Sequence, residues 1–347
     1  MARHSRVFFS GQFQPAVSGQ AVATRDLANL LESRGVILRR HVTSGAALTR
    51  LWRYLSGTVL ILFGPERIVY LSVNMRRGLP FNILMAAAAR LAGKALRAHH
   101  HNYGTIARFH PLMAAFVRVA GKDCVHFSNC VPMGREMEER YRAIGRVMSL
   151  SNIGSVDDRL HPVCRPDRPV TIGHMSSLME EKGIDTVIDA LIAMRAGGVP
   201  ARLVLAGPDL EPYARGQIRR TQSALKDDFR FVGPVHGEAK QAFFDSIDIF
   251  AFATRYAEET QGIVNLEAMA CGKPVVAFAQ CCIASDIGEQ GGVAVSPGSD
   301  FSAALTGYAE HFLGDPATAS REARARFETL REEYRSEVER VVETFVL

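Results

Sequence analysis

No apolar run in this 347-residue sequence reaches the ~18 residues that a bilayer-spanning helix needs; Thr58 to Phe63 and Met85 to Leu91 are both short. A chain that crosses a membrane is therefore not expected. The opening residues, Met1 to Arg6, lead straight into an apolar strand pattern, without the apolar core or small-residue cleavage site of a secretory signal. The cytoplasm is the expected compartment. Six cysteines, Cys124, Cys130, Cys164, Cys271, Cys281 and Cys282, show no paired metal-ligand spacing, so packed, reduced thiols are expected instead of a metal centre. Neither Gly11 nor Gly173 opens a Gly-x-Gly-x-x-Gly fingerprint, which weighs against an NAD enzyme. Internal repeats and low-complexity tracts are missing too.

What is present suffices for two cores. With 347 residues, 47% of them hydrophobic, the chain is too long for one ordinary core and suits two domains of about 150 residues each. Apolar runs alternate with helical patterns, as in a parallel sheet covered by helices. Predicted strands in the first half are Val7 to Ser10, Val36 to His41, Thr58 to Phe63, Ile68 to Ser72, Ala95 to His99, Cys124 to Phe127 and Val147 to Leu150. Helices fit at Gln20 to Ser33, Asn82 to Leu91 and Arg108 to Val119. The second half starts afresh near Pro169, with strands at Val170 to Gly173, Leu203 to Ala206, Phe229 to Val232, Ile247 to Phe252, Val275 to Ala277 and Val293 to Val295. Between the halves, residues 161–169 carry prolines at 162, 166 and 169 and predict a linker. The expected division is thus 1–160, a linker at 161–169, 170–315, and a C-terminal helical segment at 316–347.

Charge divides the chain as well. Residues 1–165 hold 23 Lys and Arg against 9 Asp and Glu, whereas the remainder holds 18 against 27. Such a split means that the halves meet different partners or attract one another. Nucleic acid is a poor fit to the basic half, whose arginines lie scattered among aliphatics without an aromatic-studded strand face. An anionic membrane surface or a phosphorylated lipid acceptor is the better expectation. The stretch Arg108 to Arg118, aliphatic and aromatic residues beside arginine, suits shallow membrane docking.

The most specific segment runs from Thr254 to Phe278. It places two carboxylates, Glu259 and Glu267, around a turn at Gly262, each able to accept hydrogen bonds from a pair of hydroxyls. A glycine there lets backbone approach a ligand, and the amides that open the next helix form an anion site. The pair, the glycine, the small-residue helix and the Lys273-Pro274 entry into an apolar strand resemble retaining, nucleotide-sugar-dependent glycosyltransferases of the GT-B fold, in particular the large family four (glycosyl transferases group 1). The resemblance is firm from about Val170 to Gly298 and diffuse before it.

What the resemblance implies is an α/β protein of two Rossmann-like domains facing across a cleft, the first binding the acceptor, the second the donor, and a terminal helix returning to the first domain. Glu259 is expected near the anomeric centre, and Glu267 on the nucleotide ribose. Amides around Gln261, Gly262 and Ile263 would face the leaving phosphate. In the loop after the second half's first strand, Glu181-Lys182-Gly183 resembles the family's loop whose lysine holds the donor diphosphate, which makes Lys182 the expected cation. Where many relatives carry an arginine after the strand glycine, this chain has His174, so the diphosphate would lean on backbone amides or on Arg255. In the first domain Gly19, at the entry to the first helix, matches the family's glycine loop. His101, with His100 second, stands where relatives often carry a histidine that touches the donor sugar. Asp157-Asp158 lacks the intervening residue of the Asp-x-Asp metal motif in the other main glycosyltransferase fold, so neither a metal nor a cofactor is expected, only a UDP- or GDP-linked donor. A second reading stays open: a catalytically silent GT-B protein acting as a partner or scaffold, because of the missing arginine. A nucleotide-sugar epimerase lacks its own residues here.

Overall fold

The computed structural model describes residues 5–13, 19–164 and 169–346. Residues 165–168 of the expected linker and 14–18 of the glycine loop fall outside them. Among the described residues twelve strands form two sheets: β1 (Arg6–Gly11), β2 (Ile37–Val42), β3 (Ile68–Val73), β4 (Ala95–His100), β5 (Val125–Ser128) and β6 (Arg146–Ser149) in one, and β7 (Val170–Met175), β8 (Ala201–Ala206), β9 (Phe229–Gly233), β10 (Ile249–Phe252), β11 (Val275–Phe278) and β12 (Gly292–Val295) in the other. Two compact units follow, residues up to 155 together with 332 onward, and residues 156–331.

Every pairing in both sheets is parallel. Parallel sheets carry helices on both faces, which is why β3 and β7 are buried along their whole length. The edge strand β2 is different. Its sequence, ILRRHV, leaves most positions partly exposed, and Arg39 and Arg40 pair with Glu66 and Glu32, a charged edge that resists pairing with another strand.

Strand order in the first unit is β2-β1-β3-β4-β5-β6, and in the second β12-β11-β10-β7-β8-β9. In the second unit the chain starts at the centre with β7, runs out to β9, and returns to the other side of β7 with β10. The reversal leaves a crevice at the carboxyl ends of β7 and β10, the place where open α/β sheets bind ligands. The first unit has its own reversal between β1 and β3.

One predicted strand is a helix. Thr58 to Phe63 forms the last turns of the helix Ala47–Phe63. Branched aliphatic residues favour a strand only locally, whereas Tyr54, Gly57 and Ile61 recur at helical spacing and are its buried side. The C-terminal helix, Pro316–Glu343, lies within the expected segment 316–347. Val338, Val341, Val342 and Phe345 join Phe9, Leu31 and Tyr70 in the core of the first unit. Arg97 fixes that end by donating to the Thr344 carbonyl at 2.6 and 2.9 Å. Among the described residues no helix is long and apolar enough to cross a membrane.

Candidate functional site

At the end of β7, Gly173 has no room for a side chain: a Cβ there would lie 2.4 Å from Ile247 Cδ1. His174 follows and is fully buried. Its Nδ1 lies 2.9 Å from the Ala251 carbonyl and its Nε2 2.9 Å from Ser176 Oγ. Burial lowers its pKa to about 4, with the Lys182 charge adding to the fall and the Ala251 bond opposing it. His174 thus brings no positive charge to the loop, as expected where the arginine is missing, and both its nitrogens are engaged within the protein. It shapes the loop instead, since Ser176 Oγ accepts from the Leu178 amide at 3.0 Å, and Leu178 is held at φ 54°, a conformation that costs a branched residue about 1 kcal/mol or more.

The turn Glu180–Lys182 comes next. Gly183 closes it at φ +72°, and a Cβ there would sit 1.9 Å from the Ala253 carbonyl. Only glycine lets this turn press against the end of β10. Lys182 is thereby delivered to Glu259: Nζ lies 2.5 Å from Oε2, with the two side chains 16% and 13% exposed. The ammonium also lies over the Tyr256 ring, 4.7 Å from its centroid, which adds a cation–π attraction. Glu259 is held from behind. Its amide donates to the Tyr256 carbonyl at 2.9 Å, and Gln280 Nε2 donates to the carbonyls of Tyr256 at 2.6 Å and Glu259 at 3.3 Å.

Beyond Glu259, Gln261 and Gly262 are buried and Ile263 begins the helix Ile263–Ala270. Gly262 takes φ +61°. A Cβ on it would meet Asn265 Nδ2 at 2.9 Å and Phe252 at 3.0 Å. Asn265 was not singled out in the sequence. Its side-chain amide is buried, and neither polar atom has a hydrogen-bond partner, an unmet demand directly behind the turn.

Glu267 is 5% exposed and does not share Lys182. Its partner is Lys240, on the helix Glu238–Asp245, with Nζ 2.5 Å from Oε1. Burial raises the Glu267 pKa, and Lys240 pulls it back. The two glutamates are thus two separate ion pairs, Glu259 with Lys182 and Glu267 with Lys240. A carboxylate inside the apolar run Leu266 to Ala270 signals that some cation must compensate it; which one, sequence cannot say.

Arg255 is also redirected. Its guanidinium takes Asp185 at 2.9 and 3.0 Å and Thr186 Oγ1 at 2.6 Å, which occupies it on the first turn of the helix Ile184–Ala196 instead of beside Lys182. Arg255→Ala is accordingly expected to cost no more than ~1 kcal/mol of stability, since this pair is half exposed, and to change nucleotide-sugar affinity less than about threefold. A loss beyond tenfold in calorimetry would return Arg255 to the phosphate.

In the first unit the three histidines after β4's start are all buried. His99 and His101 share a side, with ring centroids 3.9 Å apart, and His99 Nδ1 bonds the Tyr70 hydroxyl at 2.9 Å. His101 has no hydrogen-bond partner at either nitrogen, and burial lowers its pKa to about 3. His100, the second candidate, points the other way. It lies 2.9 Å from His126 Nδ1 and edge-on to Phe116, because alternate strand residues face opposite sides. Gly19 opens the helix Gly19–Ser33 and is exposed. The glycine that packing demands is Gly11, where a Cβ would lie 2.6 Å from Thr24 Cγ2.

Residues 169–315 match the family model of glycosyl transferases group 1. Over 108 residues the chain is 38% identical to a GDP-mannose-dependent alpha-(1-6)-phosphatidylinositol dimannoside mannosyltransferase of Mycobacterium tuberculosis, a match covering 31% of this chain and 26% of that protein. It is 32% identical over 102 residues to a D-inositol 3-phosphate glycosyltransferase of Jonesia denitrificans, covering 28% and 24%. The matched part spans about a quarter of the length of these relatives. Among solved structures, Anabaena Alr3699/HepE in complex with UDP-glucose superposes with a TM-score of 0.71 at 18% identity, covering 98% of this chain and 99% of that one. A sucrose-phosphate synthase from Thermosynechococcus elongatus gives 0.72 at 16%, covering 94% of each. The chain has the GT-B fold of these neighbours, and its residues 169–315 are similar to glycosyl transferases group 1.

Proposed function

We propose that this protein is a retaining glycosyltransferase that moves a sugar from a UDP- or GDP-linked donor to a saccharide or lipid-linked acceptor in cell-surface polysaccharide or glycolipid synthesis. The observation that carries the reading is the Lys182–Glu259 pair, 2.5 Å apart at the carboxyl ends of β7 and β10. One arm of that pair suits phosphate oxygens and the other sugar hydroxyls. Support comes from the group 1 match over the same residues and from the UDP-glucose bound to the Anabaena neighbour.

On this reading Lys182 and the amides of Gln261, Gly262 and Ile263 stabilise charge growing on the leaving diphosphate. Glu259 grips hydroxyls near the anomeric carbon, and Glu267 the nucleotide ribose. The bond from the anomeric carbon to the phosphate oxygen breaks as the acceptor oxygen bonds that carbon on the same face, and the departing diphosphate takes the acceptor proton. His101, buried and without a partner, is the first unit's candidate for a sugar contact, and Gly19 for the phosphate side. The basic first unit is read as the side that meets a lipid-linked acceptor at a membrane surface.

A donor screen with mass-detected product tests this. Transfer from one UDP- or GDP-sugar is the expected result. The specific alternative is a silent GT-B protein, favoured by the neutral His174 and by the commitment of Arg255 to Asp185. Calorimetry that finds no binding of any donor would sink the transferase reading in favour of that one.

A further inference from the structure

Asn265, the third residue of the helix Ile263–Ala270, is 1% exposed and leaves both Nδ2 and Oδ1 without a hydrogen-bond partner. The two atoms are closed to solvent as well, so the cost of taking them out of water is not offset. The fold has no need of a carboxamide here. Asparagine is a weak helix former, and the buried residues that follow, Leu266, Ala268, Met269 and Ala270, are apolar, while Glu267 has its lysine. A buried polar group carried without structural return points to a ligand-bound state in which it is paired.

Position selects the ligand. Nδ2 lies against the turn at Gly262: a Cβ on that glycine would be 2.9 Å from Nδ2 and 3.0 Å from Phe252 Cε1. Lys182 borders the same Phe252 ring, with Nζ 5.9 Å from the centroid, so the carboxamide sits at the end of β10 that holds the Lys182–Glu259 pair. A polar side chain at the third helical position commonly reaches back to the N-cap amide. Asn265 does not, and the helix has no side-chain cap. The amides of Gly262, Ile263 and Val264 therefore lack an intrahelical acceptor, and Nδ2 adds a further donor beside the turn. Converging donors suit an anion with several oxygens. Positive charge is scarce at this place, because His174 is neutral and Arg255 is bound to Asp185.

We propose that Asn265 is a further donor-binding residue: Nδ2 donates to a phosphate oxygen of a nucleoside diphosphate seated on the Gly262 turn, a contact that makes up in part for the missing arginine. Gly262, bare of a side chain, is the point at which the turn yields to let the phosphate reach the amide. The inference rests on the donor reading above and adds a residue to it. Wild type and Asn265→Ala are titrated with UDP and with GDP by calorimetry, and melted without nucleotide. The variant should bind the nucleotide that wild type binds at least roughly tenfold more weakly, the scale of one hydrogen bond to a charged group. Its melting temperature should hold or rise, because two unpaired buried atoms are removed and alanine is the better helix former. Affinity within tenfold of wild type overturns the proposal. So does a melting temperature lowered by more than ~2 °C, which would make the amide a structural group of the turn. If wild type binds neither nucleotide, the donor reading falls and takes this inference with it, whereas equal binding by both proteins leaves that reading standing and removes Asn265 from it.

Discussion

Glu259→Gln is expected to lower sugar transfer about a thousandfold, the scale seen when one preorganised polar contact to a transition state is removed, while the protein stays folded. The change keeps shape and removes charge. Two consequences follow from the geometry. The carboxylate that would accept from sugar hydroxyls becomes an amide, a weaker acceptor. Lys182, 2.5 Å away and 16% exposed, loses its counter-charge and keeps a neutral amide oxygen and the faces of Tyr256 and Phe252, so the cation proposed for the leaving phosphate is held less firmly. Folding should tolerate this, because Gln280 grips the loop through backbone carbonyls and not through the carboxylate. The measurement is turnover with the donor that the screen identifies, beside a thermal melt of the same sample. Transfer within tenfold of wild type would end the assignment of Glu259 to the reacting sugar.

Lys240→Met is the change with the largest expected cost in stability, about 3 kcal/mol at neutral pH, the lower end for breaking a buried ion pair because the ammonium is 23% exposed. It strands Glu267, whose pKa burial already raises above 4.5 and which Lys240 alone among its strong neighbours pulls down through both charge and hydrogen bond. Without the lysine the rise is larger. A carboxyl with a raised native pKa takes a proton more readily folded than unfolded, so the native state gains stability as pH falls through the raised value, and the gain stops near 4.5. The deficit of the variant should therefore be greatest at pH 7 to 8 and shrink toward pH 5. Urea unfolding across that range reads it directly, and the double variant Lys240→Met, Glu267→Gln should recover most of the loss. A deficit that does not change with pH would show that Lys240 acts through packing and not through the carboxylate.

Much of this architecture is legible in the residues. The central parallel strands of both units are buried on two faces and so read as short, mostly apolar runs, and eleven-residue spans such as Gly262 to Gly272 carry glycines at the positions where backbone turns left-handed. Thr58 to Phe63 fails as a strand because six residues are too short a window to separate period two from period 3.6 when nearly all are apolar. Its helix spends only three residues on the core, so sequence sees hydrophobicity where the structure shows an outward face.

Sequence by itself determined the fold class, the crevice loops that follow β7 and β10, and the identity of Glu259, Glu267, Lys182 and Gly262 as the residues to watch. Tertiary structure alone decided their partners. It gave Lys182 to Glu259 and Lys240 to Glu267, sent Arg255 to Asp185, and neutralised His174 by burial. The reason is physical. Backbone periodicity is a local property written in neighbouring residues, whereas an ion pair joins side chains that are 77 or 27 positions apart, and which cation meets which carboxylate depends on where two loops and two helices come to rest in space.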